Sequence, residues 1–161
     1  MLRFAGAEIR VPRFERIGPE NTQTPDDLLC PQQRARAARD FGIPASGTMA
    51  HSWVQMFPTE YDAFKKYAEM YPDACVLLVD TYNVLRHGVP DAIKVFDEVL
   101  KPMGKRPKGI RIDSGDIAYL SKKARKMLDE AGWPECQISV SNSLDERLIQ
   151  NLFLQGAQID M

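Results

Sequence analysis

The chain has no Gly-x-Gly-x-x-Gly run, no Gly-Lys-Ser/Thr loop and no Gly-x-Ser-x-Gly elbow. A dinucleotide fingerprint, a P-loop and an α/β-hydrolase nucleophile are therefore excluded. Cysteine is scarce: Cys30, Cys75 and Cys136 are odd in number, far apart and without paired metal-type spacing. They read as buried reduced thiols, not as a disulfide frame or a zinc site. An excess of one charge is also missing, with 21 Lys and Arg against 22 Asp and Glu. Such a balance gives no broad field for nucleic acid or an anionic membrane, so an anionic ligand has to be held by a local site. The strongest apolar run, Ala74 to Val79, is far too short to span a bilayer, and the first residues lack the apolar core of a secretory signal. A cytoplasmic protein with no membrane or nucleic-acid partner is expected. With 44% apolar and 27% charged residues, the chain has ordinary globular composition and can bury one core.

Organisation begins at Phe41. Pro12, Pro19, Pro25 and Pro31 interrupt the preceding stretch and no apolar period persists there, so residues 1–40 are expected to form an irregular arm and 41–161 a domain. An extended piece with a glycine turn, Ile43 to Ser52, leads to a helix expected from the Thr59/Asp62 capping pair to Pro72, with Tyr61, Phe64, Ala68 and Tyr71 on its apolar face. Cys75 to Asp80 is a continuous apolar strand ending on a carboxylate, as suits a parallel sheet covered on both sides. A helix opening at Gly88-Val89-Pro90 and closing at Gly104 buries Ala92, Phe96, Val99, Leu100 and Met103. Lys108 to Asp116 reads as strand, tight turn and helix start, with Ser114 as a cap. The helix that follows turns Ile117, Leu120, Ala124, Met127, Leu128 and Ala131 inward and Lys122, Lys123, Arg125 and Lys126 mostly outward. A fourth strand, Gln137 to Ser141, precedes a helix with a Ser143/Glu146 capping box and an apolar face of Leu144, Leu148, Leu152 and Phe153. Gln158 to Met161 starts another strand, in the middle of which the chain stops. Alternating β and α elements imply a parallel sheet with right-handed crossovers, either open and doubly wound or an arc of a barrel.

Polar residues recur at the carboxyl ends of these strands, where α/β folds bind ligands. The set is Thr48, His51 and Ser52; Asp80, Thr81 and Tyr82; Arg111, Asp113, Ser114 and Asp116; Ser141 and Asn142. An arginine, small hydroxyls, carboxylates and glycine turns suit a phosphorylated sugar: Arg and backbone N–H groups take the phosphate, and carboxylates take ribose hydroxyls or Mg²⁺. Carboxylates repel bare phosphate, so Asp113 and Asp116 imply a Mg²⁺-bound or hydroxyl-rich ligand. The alternative for Asp116 is that it simply caps the N-terminus of the helix and its dipole. His51, before a helix and after Gly47-Thr48, can act as a base or as a nucleophile toward phosphorus. Tyr82 fits stacking in a pocket or packing in the core, and His87 an exposed loop.

Four motifs, in order, resemble the nicotinate phosphoribosyltransferase family: Phe41-Gly42-Ile43-Pro44 with Ser46 to Ser52, Leu78 to Tyr82, Arg111 to Asp116, and Ser141-Asn142 with Leu144-Asp145-Glu146. The resemblance implies a partial (β/α) barrel of the type II phosphoribosyltransferase kind. It implies an enzyme joining nicotinate to phosphoribosyl pyrophosphate, with ATP as co-substrate and Mg as cofactor, to give nicotinate mononucleotide and pyrophosphate for NAD. It further implies that His51 is the residue phosphorylated by ATP, that Arg111 and Asp113 line the nucleotide site, that Asp80, Ser114 and Asp116 stand in its polar wall, and that the protein is a homodimer. Ser143 departs from the acidic residue of many relatives, no motif of the family's N-terminal domain appears in residues 1–40, and the later glycine-rich phosphate loops are absent. The chain is accordingly expected to be a central barrel fragment. The rival expectations are an inactive remnant or interaction module, and a phosphoribosyltransferase using nicotinamide or quinolinate.

Overall fold

The computed structural model describes residues 48–141 and 143–161, together with two short strands near the N-terminus. The chain divides into two units, Met1–Ser46 and Gly47–Met161. In the first, β1 (Arg3–Phe4) pairs antiparallel with β2 (Ala7–Glu8). The other expectations for residues 1–47, including the glycine turn, fall outside the described residues.

In the second unit β3 (Val76–Leu78), β4 (Gly109–Ile112) and β5 (Gln137–Val140) form a parallel sheet in sequence order. The register pairs Leu77 with Ile110 and Ile110 with Ile138, so one apolar row crosses all three strands. Leu77, Val79, Ile110, Ile112 and Ile138 are wholly buried, the two-sided cover that an apolar parallel sheet needs. The last residues lie along β5, with Asp160 N–H donating to the Ile138 carbonyl at 2.9 Å and Val140 N–H to that of Met161 at 2.7 Å. Cys75 and Cys136 are free and buried, and burial pushes both thiols up to about 12. Cys30 falls outside the described residues.

Short α1 (His51–Val54) precedes α2 (Glu60–Met70). Thr59 caps α2 as expected, its Oγ1 accepting from Asp62 N–H at 3.1 Å. Phe64 and Ala68 are buried, whereas Tyr71 lies past the helix end and is exposed. The next helix starts earlier than its Gly88-Val89-Pro90 signature suggests. Asn83 caps it, accepting from Arg86 N–H at 2.9 Å, and a π-helical turn (Val84–Gly88) runs into α3 (Val89–Val95) and a second π-helical turn (Phe96–Leu100). Gly88 is thus inside the helix, pressed on β3: a Cβ there would fall 1.8 Å from the Val79 carbonyl oxygen. Met103 lies beyond the packed face and is exposed.

After β4, α4 (Ile117–Glu130) is capped by Asp116, not Ser114, through a 3.0 Å bond from Tyr119 N–H. Its inward face is as expected, but Arg125 is not a solvated charge. Its guanidinium donates to the carbonyls of Cys136 (2.7 Å) and Trp133 (2.8 Å), bracketing the approach to β5. The cap of α5 (Glu146–Leu154) is Asp145, which accepts from Leu148 N–H at 2.7 Å. Ser143 takes φ 33° instead, so the expected Ser143/Glu146 box does not form. Leu152 packs with Ile117, Ala118 and Ala157 between α4 and α5, while Leu148, Ile149 and Leu154 are exposed.

Candidate functional site

The carboxyl ends of β3, β4 and β5 converge near the start of α1, and Arg111 of β4 links Ser141 after β5 to Thr48 before α1. Ile110 and Ile112 turn into the core, so the pleat turns Arg111 the other way, half-buried. Its Nε donates to Ser141 Oγ at 2.7 Å and one terminal nitrogen to Thr48 Oγ1 at 3.0 Å. The other terminal nitrogen lies 3.2 Å from Asp113 Oδ2. Three of the five N–H donors of the guanidinium are thereby engaged. The group is held as a plane whose remaining donors are fixed in direction.

Asp113 is clamped from its other side by Ser141, whose hydroxyl donates to Oδ1 at 2.5 Å. Partial burial raises the proton affinity of Asp113, but the Ser141 bond, Arg111 and His51 outweigh it and hold the carboxyl below its usual range. Asp80 is the buried member of the set. Its Oδ2 accepts from the Asp113 backbone N–H (2.9 Å) and from Ser114 Oγ (2.7 Å), which ties the end of β3 to the turn after β4. Its Oδ1 is buried with no hydrogen-bond partner among the described residues.

His51 closes the cluster. Its Nδ1 is 3.1 Å from Thr81 Oγ1, and Nε2 lies 3.9 Å from Asp80 and 3.6 Å from Asp113. Two carboxylates facing Nε2 favour a proton there, and the Thr81 hydroxyl can turn to donate to Nδ1. A cationic ring formed during reaction would be stabilised by both carboxylates.

Of the expected site residues, Thr48, His51, Asp80, Arg111, Asp113, Ser114 and Ser141 are joined in this one network. Ser52 and Tyr82 are exposed and make no hydrogen bond in it, so the core-packing alternative for Tyr82 is removed. Asp116 is occupied as the cap of α4. Asn142 falls outside the described residues. Thr81 is the partner of His51 that motif reading grouped at the strand end without a task, and position next to Asp80 was its only signal.

The carboxylates do not build a cage for a resident metal ion. Among the described residues no three His, Cys, Asp or Glu side chains could hold one, and both oxygens of Asp113 already have partners. A cleft of about 360 Å³ does exist, but near the amino ends of β4 and β5, lined by Lys101, Lys105, Arg106 and Trp133 among others. Its cations are paired with Asp97, Asp73 and Glu135, and it has no connection to the strand-end network.

A parallel sheet with helices and a polar set at its strand ends defines an α/β protein, and solved structures named for nicotinate phosphoribosyl chemistry share that architecture. The crystal structure of human nicotinic acid phosphoribosyltransferase superposes with a TM-score of 0.63 at 26% identity, over 78% of this chain and 35% of that one. The crystal structure of nicotinate-nucleotide pyrophosphorylase from Pyrococcus furiosus shares the fold, with a TM-score of 0.59 at 24% identity, over 72% of this chain and 30% of that one.

The family model for nicotinate phosphoribosyltransferase (NAPRTase) matches residues 17–158, and the chain belongs to that family. The match begins inside the proline-interrupted stretch. Nicotinate phosphoribosyltransferase of Bacillus subtilis is 57% identical over 128 residues, 78% of this chain and 25% of the relative. Nicotinate phosphoribosyltransferase pncB2 of Mycobacterium tuberculosis is 47% identical over 126 residues, 77% and 26% of the two. The chain thus spans about a quarter of the length of these curated relatives.

Proposed function

We propose that this chain carries the phosphohistidine and ribose-facing part of a nicotinate phosphoribosyltransferase. The whole reaction joins nicotinate to phosphoribosyl pyrophosphate, driven by ATP, and yields nicotinate mononucleotide, pyrophosphate, ADP and phosphate for NAD. The observation that carries this reading is the network of Thr48, Arg111, Asp113 and Ser141 facing His51 and Asp80. Arg111 offers its free donors to a phosphate, and Asp113, kept ionised, suits ribose hydroxyls or the positive charge that develops at the anomeric carbon. A ring nitrogen of His51 attacks the γ-phosphorus of ATP, the bond from that phosphorus to the bridging oxygen breaks, and ADP leaves. Asp80 and Asp113 stabilise the charged ring. A Mg²⁺ ion carried by the pyrophosphate ligand would offset its negative charge, with Asp113 the carboxylate able to face it, since Asp116 is taken up by the cap of α4. The cytoplasm is the compartment where ATP and the phosphoribosyl donor meet, and pairing as a homodimer would complete a site of which this chain holds a part.

Incubation with γ-labelled ATP tests the reading. Acid-labile, base-stable phosphate is expected on the wild-type chain and not on His51→Ala. An unlabelled wild-type chain that still folds and binds ATP would overturn retained chemistry. It would favour the second reading, an inactive pairing module, to which the exposed apolar residues of α5 point. Competition among nicotinate, nicotinamide and quinolinate for binding decides the pyridine, with nicotinate expected to win.

A further inference from the structure

Behind the strand-end network lies a carboxyl group that the proposed chemistry does not use. Glu60 is the first residue of α2, where an acidic side chain ordinarily points to water and favours the helix dipole. Here it is 4% exposed, and neither of its oxygens has a hydrogen-bond partner among the described residues. The groups that act on it are Asp91 on α3, Asp80 at the end of β3 and the backbone N–H of Tyr82, which approaches without completing a hydrogen bond. Asp91 has His87 and Lys94 as its own cationic neighbours. Glu60 thus lacks a cation of its own and stands next to two other carboxylates, and burial in that setting favours the neutral acid. Burial first, then Asp91 and Asp80, raise its pKa to about 7, against a smaller opposing pull from the Tyr82 amide.

We propose that Glu60 is a positioning residue for His51, acting through Asp80 and the Thr81–Tyr82 turn. While protonated, Glu60 leaves the imidazole facing the charges of Asp80 and Asp113 alone and leaves the turn as the structure shows it, with Thr81 on Nδ1. On losing its proton it adds a further negative charge behind Asp80 and draws in the Tyr82 N–H. The same turn carries Thr81, so the hydrogen bond to His51 shifts with it. The proton on Glu60 therefore sets how strongly the imidazole holds its own.

The inference rests on the functional reading only in taking His51 as the group served, and its test needs no turnover. The imidazole resonances of His51 are followed against pH by NMR in the intact chain and in Glu60→Gln, with His87→Gln used to assign the two histidines. The wild-type His51 curve is expected to show a second inflection at the pH where Glu60 titrates, about 7. In E60Q that inflection is lost and the remaining one moves to lower pH. Superimposable curves in two folded proteins would overturn the proposal. Should E60Q fail to fold, the Glu60 side-chain carboxyl carbon is titrated in the wild type: a midpoint near 4.5, the ordinary glutamate value, overturns it, and one near neutrality that coincides with a His51 inflection supports it. Phosphorylation of His51 by ATP is measured separately, so failure of the enzymatic reading leaves this result interpretable.

Discussion

Arg111 acts through its shape as much as its charge. A lysine at that position keeps one positive charge but cannot meet Ser141, Thr48 and Asp113 together, because an ammonium is a point donor and a guanidinium a planar fork. Arg111→Lys is expected to destabilise the chain by about 1–3 kcal/mol, measured by denaturant unfolding. It should also raise the Asp113 carboxyl toward its usual range, followed by NMR. Glu60 has the opposite relation to pH. Its pKa is about 7 in the folded chain and near 4.5 in the unfolded one, so between those values the unfolded chain has released a proton that the folded chain still holds. Stability falls as pH rises through that window and levels off above it. The stability of Glu60→Gln relative to wild type should therefore rise between pH 5 and pH 8; a difference that stays constant with pH would count against the buried neutral acid. The contrast with Arg111 explains what was legible in the sequence. Arg111 and Asp113 alternate with apolar residues in a strand, and that period alone sets them at a strand end facing away from the core. Glu60 sits where an acidic residue is favourable for local reasons, so only the tertiary surroundings reveal it.

At the level of elements, the alternation of strands and helices could be read from apolar period and capping residues, because both are local. Boundaries slipped where two residues competed for one task. Ser114 and Asp116 both can cap α4; Asp116 takes the cap, and Ser114 is left free to bond Asp80. Asp145 likewise displaces Ser143. The π-helical turn at Val84–Gly88 had no local signature, since it depends on Gly88 meeting the Val79 backbone. Gly88→Ala forces a methyl group into that carbonyl, and an overpacking cost of about 1–3 kcal/mol is expected, seen as a lowered unfolding midpoint. Because Val79 precedes Asp80, the same substitution should disturb the His51 resonances although Gly88 touches no member of the site. Gly132→Ala, with nothing near its Cβ, is a useful comparison: its positive φ strains the turn, yet it should leave His51 unchanged.

On the scale of the whole chain, the unit Gly47–Met161 leaves apolar surface uncovered. Leu148, Ile149 and Leu154 on α5, and Met161 beside β5, are exposed, and among the described residues the sheet has three strands where a barrel closes on itself. Concentration-dependent association is expected in sedimentation, weakened by Leu154→Lys, the most exposed of these side chains at 78%. A monomer that persists at all concentrations would argue against this. The expectation of a partial barrel already implies an open helix face and an open sheet edge; which side chains lie on them could not be read residue by residue, because an amphipathic helix has the same sequence whether or not its partner is present. The order of the sheet has a consequence of its own. From β3 onward, each described parallel strand hydrogen-bonds to the next one synthesised, β3 to β4 to β5 and then to residues 160–161. A nascent chain leaving the ribosome can therefore add one strand at a time to an edge that already exists, with no long wait for a distant partner. Asp80, Asp113 and Ser141 come together by the same succession, so the ligand-facing cluster can be assembled during translation, one strand end after another.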